Sequence, residues 1–400
     1  MNTTQSPSSK LIILMIMLVL FSPLAIDIYL PALPMMAESY QVDLTNIQDT
    51  VTLFIFSLGL GQLFAGPLAD RYGRRPIALI GAVIYAASAL LAWWAKSLDL
   101  MLFARLIQGF GACCTSVAAF SAVRDSFGPE RSGRMISYLN GAICFIPALA
   151  PLLGGWLSFH FGWRSNFSFM FGYGVIAGVL LMIFFSETRP TSTQSQGKLI
   201  SLDRYLVVLK SPVFLFHASL CMLGMAVILS YVTAAPSFLI VNLGLDMQQF
   251  SIWFGINAVI NIVGCLLAPR YIDKFGSRNA LTVGLVLVLI AGALMFIFRE
   301  VNTPLAFMGP IFITSVSFAL IMGASAGRAL APFGDCAGTA AALLGLFQMS
   351  GSGLLVGITQ RFGLTDSLLL TAQMWLLLPG LIILWSKSGQ RWHPQSVISS

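Results

Sequence analysis

The chain has 400 residues, 57% of them hydrophobic and 9% charged, with a formal net charge of +7. Soluble domains carry about 25% charged residues, so this composition cannot clothe a water-facing surface. It excludes a soluble enzyme or binding domain and requires the bilayer as solvent for most of the protein.

A spanning helix needs about 20 mostly apolar residues. Twelve such segments are predicted, at 11–33, 50–69, 77–95, 100–122, 135–159, 166–186, 212–241, 250–272, 280–298, 303–325, 337–358 and 366–386. The runs are continuous rather than alternating, so the expected class is an all-α membrane protein and not a barrel. With the N-terminus inside and twelve crossings, 17 Lys and Arg fall inside and four outside (Lys96, Arg164, Arg299 and Arg361), while Arg105 alone falls within a helix. This asymmetry sets the orientation. It also accounts for the positive charge without a nucleic-acid partner.

Helix 1 carries Pro23, Asp27, Pro31 and Pro34. Its apolar run continues without a small-residue cleavage site, so it reads as a retained helix and not a signal peptide. Asp27 is the one acid well inside any predicted span. A charge there costs about 2.5–3.5 kcal/mol on the insertion scale, so it needs a partner, a cavity or a proton. Helix 2 ends in the densest charge cluster of the chain, G-P-L-A-D-R-Y-G-R-R-P from Gly66 to Pro76, containing Asp70, Arg71, Gly73, Arg74 and Arg75. A weaker copy, P-R-Y-I-D-K-F-G-S-R, starts at Pro269 and places Asp273 and Arg278 opposite Asp70 and Arg75. The offset of about half the chain predicts two similar halves.

Helix 4 reads R-L-I-Q-G-F-G-A from Arg105, with Gln108 one turn on along the same face. Arg105 and Asp27 lie at similar depths, ~9 and ~10 Å below the outer surface at 1.5 Å per residue. Three readings stay open: a static ion pair, an Asp27 that gains and loses a proton beside a modulating Arg105, and an Arg105 that snorkels to the surface. Helix 5 places Pro147, Pro151 and Gly155 on one face, with Gly154 as an adjacent small residue. That pattern predicts a bend with close packing, either fixed or hinged. Asn140 lies near the inner part of the same helix.

After helix 6 comes E-T-R-P (187–190) and then the polar run 191–197. The expected organisation is a six-helix bundle over 1–188, a cytoplasmic linker over 189–210 and a second bundle over 211–400. Residues 199–210 mix apolar and charged residues, as an amphipathic surface helix would. The second half offers only uncharged candidates for a cavity: Tyr231, Asn257, Asn261 and Gln348. His217 is expected at the membrane interface.

The six cysteines (113, 114, 144, 221, 265 and 336) lack metal-ligand spacing. No Walker loop, credible His-based triad or metal cluster is predicted, so no cofactor, metal or enzyme activity is expected.

The Gly66–Arg75 stretch resembles the signature of the loop between helices 2 and 3 in the major facilitator superfamily, through Gly66, Leu68, Asp70, Arg71, Gly73, Arg74 and Arg75. The helix 4 motif resembles that of proton-driven members through Arg105, Gln108, Gly109 and Gly111. A-P-L-L-G-G at 150–155 resembles the antiporter motif, with Ala150 where many members have glycine. D-I-Y-L-P in helix 1, R-D after helix 4 and E-T-R-P resemble drug:proton antiporters of the Bcr/CflA type.

The resemblance implies two pseudo-symmetric six-helix bundles, with helices 1, 4, 7 and 10 around a central cavity that Tyr29 would help to line. Asp70 would meet the start of helix 11, and Arg71, Arg74 and Arg75 would complete an inner latch. The implied function is exchange of external protons for a small lipophilic drug, chloramphenicol-like or cationic, across a bacterial inner membrane. Both termini would be cytoplasmic, and a single copy of the chain would suffice. Asp27, Arg105 and Gln108 would form the working site. Export of a metabolite such as a sugar or amino acid remains the alternative, because Asn140, Asn257, Asn261 and Gln348 could supply fixed hydrogen bonds. A non-transporting receptor or scaffold is a third class, disfavoured by the lack of a sizeable extramembrane domain.

Overall fold

A computed structural model describes residues 9–190, 202–333 and 337–392. The polar stretch 191–201, where the linker was expected, lies outside the described residues. Among the described residues, twelve helices are long and apolar enough to cross a membrane. In the first half they are α1 (Leu11–Tyr40), α2 (Leu44–Tyr72), α3 (Arg74–Trp94), α4 (Leu98–Phe127), α5 (Tyr138–Phe161) and α6 (Ser165–Phe184). In the second they are α7 (Pro212–Asn242), α8 (Met247–Phe275), α9 (Ser277–Ile297), α10 (Pro304–Leu330), α11 (Ala337–Phe362) and α12 (Asp366–Trp385). The chain divides into two compact units at 201/202.

The half-chain offset seen in the sequence recurs in the backbone. α2 and α8 each have 29 residues, and α3 and α9 each have 21. Every one of these boundaries is displaced by the 203 positions that separate Asp70 from Asp273. The turns between them match as well. Gly73 (φ 110°, ψ 160°) and Gly276 (φ 82°, ψ 156°) both occupy backbone that a side chain rarely adopts. Each caps the helix before it, with Gly73 N donating to Ala69 O at 3.0 Å and Gly276 N to Ile272 O at 2.8 Å.

One difference from the expected pattern is that helical backbone runs unbroken from Leu98 to Phe161, 64 residues that include both α4 and α5. It cannot be straight. Arg105 and Gly154 both touch neighbouring residues of α1, whereas a straight helix would hold them about 70 Å apart at 1.5 Å per residue. The chain therefore bends back between the two spans within this helical stretch.

Inside unit 1, Phe21 of α1 packs edge-on against Tyr85 of α3 at 4.6 Å and Tyr173 of α6 at 5.1 Å. The Tyr173 hydroxyl donates to Met17 O at 2.7 Å. In lipid such packing and bonding hold helices together, since hydrocarbon outside is as apolar as hydrocarbon within. Consistent with that, Val83 and Ile183 remain 65% exposed on the outer faces.

Unit 2 contains two π-helical stretches, Ser237–Asn242 ending α7 and Leu346–Gly351 within α11. Shifted back by the repeat, the second falls on 143–148 of α5, the segment that contains Pro147. At the start of unit 2, the short helix Leu202–Leu209 leaves Leu206 and Val207 exposed and buries Val208.

Candidate functional site

The site in unit 1 begins with a break in α1. The α-helix ends at Asp27, and a 3-10 turn, Leu30–Ala32, intervenes before helix resumes at Leu33. Pro31 explains the position. It has no N–H to give the carbonyl four residues back, which belongs to Asp27, and its ring crowds that carbonyl. The break leaves carbonyls of the last turn without their helical donors.

Arg105 supplies a substitute. Its Nη2 donates to Ala25 O at 2.8 Å and its Nε to Thr50 O of α2 at 3.2 Å. Its Nη1 donates to Gln108 Oε1 at 2.6 Å. The guanidinium also lies over the rings of Phe54 (4.4 Å) and Tyr29 (4.8 Å), a favourable cation–π arrangement. Arg105 and Gln108 are both 0% exposed. That burial rules out snorkelling. The static ion pair is not formed either: among the described residues Asp27 makes no salt bridge, although it is 5% exposed and the residues on both sides of it contact Arg105. The expected Arg105–Gln108 partnership is present.

Tyr29 is locked in place. The Thr50 hydroxyl gives its proton to Ile47 O at 2.6 Å, so the Tyr29 hydroxyl is the donor in its 2.9 Å bond to Thr50 Oγ1. Its ring meets Phe167 of α6 at 5.4 Å. Glycines set the spacing. A Cβ on Gly109 would lie 2.2 Å from Phe54 O, and one on Gly154 would lie 1.5 Å from Ile28 O. Thus the helix 4 motif presses α4 against α2, and the helix 5 motif presses α5 against the break beside Asp27. Ala150, Pro151, Gly154 and Gly155 are buried, while Pro147 is half-buried.

The charged turn forms a second cluster. Arg74 Nη1 donates to Asp70 Oδ1 at 2.6 Å and Arg74 Nε to Asp125 Oδ2 at 2.8 Å. Glu187 accepts from the backbone N–H of Arg74 (2.8 Å), Arg75 (3.1 Å), Thr188 (3.0 Å) and Arg189 (2.9 Å). Burial alone would raise the Glu187 pKa, but these four donors outweigh it and hold the carboxyl below its ordinary value. A carboxylate here also complements the N-terminal end of the α3 dipole. Gly73 is needed twice over, for its backbone angle and because a Cβ would lie 2.3 Å from Glu187 Oε2. Arg75 Nη2 donates to Met182 O at 2.8 Å, and Arg189 donates to the carbonyls of Asp70 and Arg71. Arg71 is exposed, and no atom lies within 4 Å of a Cβ built on Gly66.

The second-half turn repeats the backbone but reassigns the charges. Arg328 of α10 donates from Nε to Ser277 Oγ at 2.8 Å. By the same 203-residue shift, Ser277 stands where Arg74 does and Arg328 where Asp125 does. The same two helix ends are tied, with the arginine now on the other one. Asp273 is exposed and Arg278 half-buried.

The remaining candidates are scattered. Ser315 Oγ donates to Asn257 Oδ1 at 2.8 Å, and Asn261 Oδ1 takes a weak bond from Cys265 Sγ at 3.7 Å. Tyr231 stacks on Phe254 at 5.4 Å. Gln348 lies in the π-helical stretch of α11 and Asn140 is exposed on α5. His217, expected at an interface, is 0% exposed. The sequence reading missed Thr50, Phe54, Asp125 and Glu187 as partners. R-D and E-T-R-P were visible as motifs, but nothing in their spacing showed that both converge on Arg74.

The profile of the Major Facilitator Superfamily matches residues 15–356. The chain belongs to that superfamily. Superfamily relatives include the multidrug resistance protein MdtL of Klebsiella pneumoniae (strain 342), 32% identical over 354 residues and covering 87% of this chain and 88% of the relative. MdtL of Shewanella oneidensis is 31% identical over 344 residues, with 85% and 86% covered. A solved D-xylose–proton symporter superposes with a TM-score of 0.76 at 16% identity, covering 94% of this chain and 97% of that one. The xylose transporter XylE from E. coli gives 0.74 at 14% identity, with 94% and 98% covered. These structures share the superfamily fold. Twelve apolar helices and this membership make the chain a multi-pass membrane protein.

Proposed function

We propose that this chain is a secondary active multidrug efflux transporter of a bacterial inner membrane, with cytoplasmic termini, exchanging external protons for small lipophilic drugs. The observation that carries the reading is Asp27: a carboxyl 5% exposed within a span, at the broken end of a helix, with no salt bridge among the described residues. An anion so placed is costly, and a proton removes the cost. The relatives named as multidrug resistance proteins supply the substrate class.

In this mechanism Asp27 binds an external proton as drug leaves, and releases it inward before drug binds again. Proton and drug need only compete for one site. Arg105 does not neutralise Asp27 by direct pairing. Its bonds to Ala25 O, Thr50 O and Gln108 hold the break open and keep a fixed positive charge near it. Alternating access follows from rocking of one bundle against the other. The charged turn acts as the gate, setting the rate of that exchange rather than binding drug.

The test is drug-evoked proton movement in proteoliposomes. Asp27→Asn should abolish exchange driven by a pH gradient while leaving drug binding measurable, and full pH-driven exchange in that variant would refute the assignment. The metabolite alternative gains little from unit 2, where Asn257 and Asn261 are engaged with Ser315 and Cys265. Protection of cells against drugs, compared with protection against accumulated sugars, separates the two.

A further inference from the structure

Unit 2 contains a polar seam that transport as described does not use. Two glutamine–threonine bonds tie α7, α11 and α12 together. Gln360 Nε2 donates to Thr233 Oγ1 at 2.9 Å, and Gln373 Nε2 donates to Thr359 Oγ1 at 2.8 Å. The threonines determine which way each amide faces. Thr233 gives its single hydroxyl proton to the carbonyls of Leu229 (3.1 Å) and Ser230 (3.2 Å). Thr359 gives its proton to Leu355 O (2.8 Å) and Val356 O (3.1 Å). Toward glutamine each hydroxyl can only accept, so each glutamine must present its NH2.

The carboxamide oxygens are left over. Gln360 Oε1 and Gln373 Oε1 are both buried without a donor among the described residues, and Gln373 as a whole is 1% exposed. Ser230 Oγ, three residues before Thr233 on α7, is also buried without a hydrogen-bond partner among the described residues. One turn beyond Thr233, Ser237 donates to the Asp366 carboxyl at the start of α12. Polar atoms thus line one face of α7 at 230, 233 and 237, spaced as neighbours on a helix. Buried oxygens are rarely left without donors. Each leftover oxygen can accept from an internal water, which needs two to four polar partners in all.

We propose that water occupies this seam, accepted by Gln360 Oε1 and Gln373 Oε1, and bridges α7, α11 and α12. The seam runs from the half-buried Asp366 to Ser230. Ser230 stands at the repeat position of Asp27, so solvent reaches in unit 2 the register at which unit 1 holds its carboxyl. A bare alkali cation would use the same oxygens, and the salt comparison below distinguishes the two.

The experiment is an experimental structure of the full chain in lipid at about 2 Å, with melting temperatures measured in NaCl, KCl and choline chloride. The expected result is density about 2.7–3.2 Å from both glutamine oxygens and melting temperatures equal in the three salts. Gln373→Leu should remove the density and lower the melting temperature. An empty seam at that resolution overturns the proposal, as does stabilisation specific to sodium. If Gln373→Leu does not fold, the native density and the salt series decide alone.

Discussion

Gly154→Ala is the most direct probe of how the helix 5 motif serves Asp27. The added Cβ would lie 1.5 Å from Ile28 O and 2.6 Å from the Ile28 carbonyl carbon. Contacts under 3.0 Å are essentially never seen, and the obstacle is backbone, which cannot rotate aside. α5 and the break in α1 must therefore separate by about 1.5 Å, carrying Asp27 with them. Overpacking of this kind costs about 1–3 kcal/mol, and misplacing a working group by about 1 Å can cost on the order of 100-fold in rate. The assay pairs drug-driven proton exchange in proteoliposomes with thermal unfolding in detergent. Gly141→Ala on the same helix is the control, because nothing lies within 4 Å of its Cβ. Exchange within about twofold of wild type in Gly154→Ala, with an unchanged melting temperature, would refute the argument that this contact positions the site.

Arg105→Lys keeps the charge but offers one nitrogen where the guanidinium serves Ala25 O, Thr50 O and Gln108. Each buried acceptor stranded costs about 1–3 kcal/mol, so exchange should fall at least about tenfold and the melting temperature should drop; a wild-type variant would argue against the carbonyl-capping role. Glu187 has a depressed pKa, so its contribution is present above the ordinary carboxylate value of 4.5 and is lost as pH falls through the lower folded value. Glu187→Gln should therefore be less stable at neutral pH and should lose less stability than wild type on acidification from pH 5 to 3, read from melting curves. Ser277→Asp should pair with Arg328 and favour the start of α9, raising stability by about 0.3–1 kcal/mol at low salt; no change, or a change insensitive to salt, would mean that Arg328 is not free to make the pair.

The fold was largely legible because span length and the repeated turn each depend on local sequence. Asp70 and Asp273 already gave the offset at which the helix boundaries recur. The site was legible in depth but not in rotation. Counting residues put Asp27 and Arg105 at one level, yet it could not show that Pro31 opens α1 directly after Asp27 and thereby offers Arg105 a carbonyl in place of a carboxylate. Contacts between distant segments were likewise hidden. Glu187 reaches the first turn of α3 across 113 positions, and only the missing side chain at Gly73 hints that something must approach there. Unbroken helix between α4 and α5 was not expected, because the predicted spans 100–122 and 135–159 leave a polar stretch between them.

The Pro147 segment of α5 and its repeat counterpart in α11 also differ in how their backbone can change. In α5 the helical ladder lacks the donor of Pro147, so one substitution would restore it. In α11 the backbone depends on residue count. The wider turns of Leu346–Gly351 accommodate surplus backbone and persist through most side-chain changes, yet one deletion would return them to α-helical register. Two halves that began alike are therefore exposed to different kinds of mutational accident. Under selection, a changed backbone at 143–148 should arise by point substitution and a changed backbone at Leu346–Gly351 by small insertions or deletions.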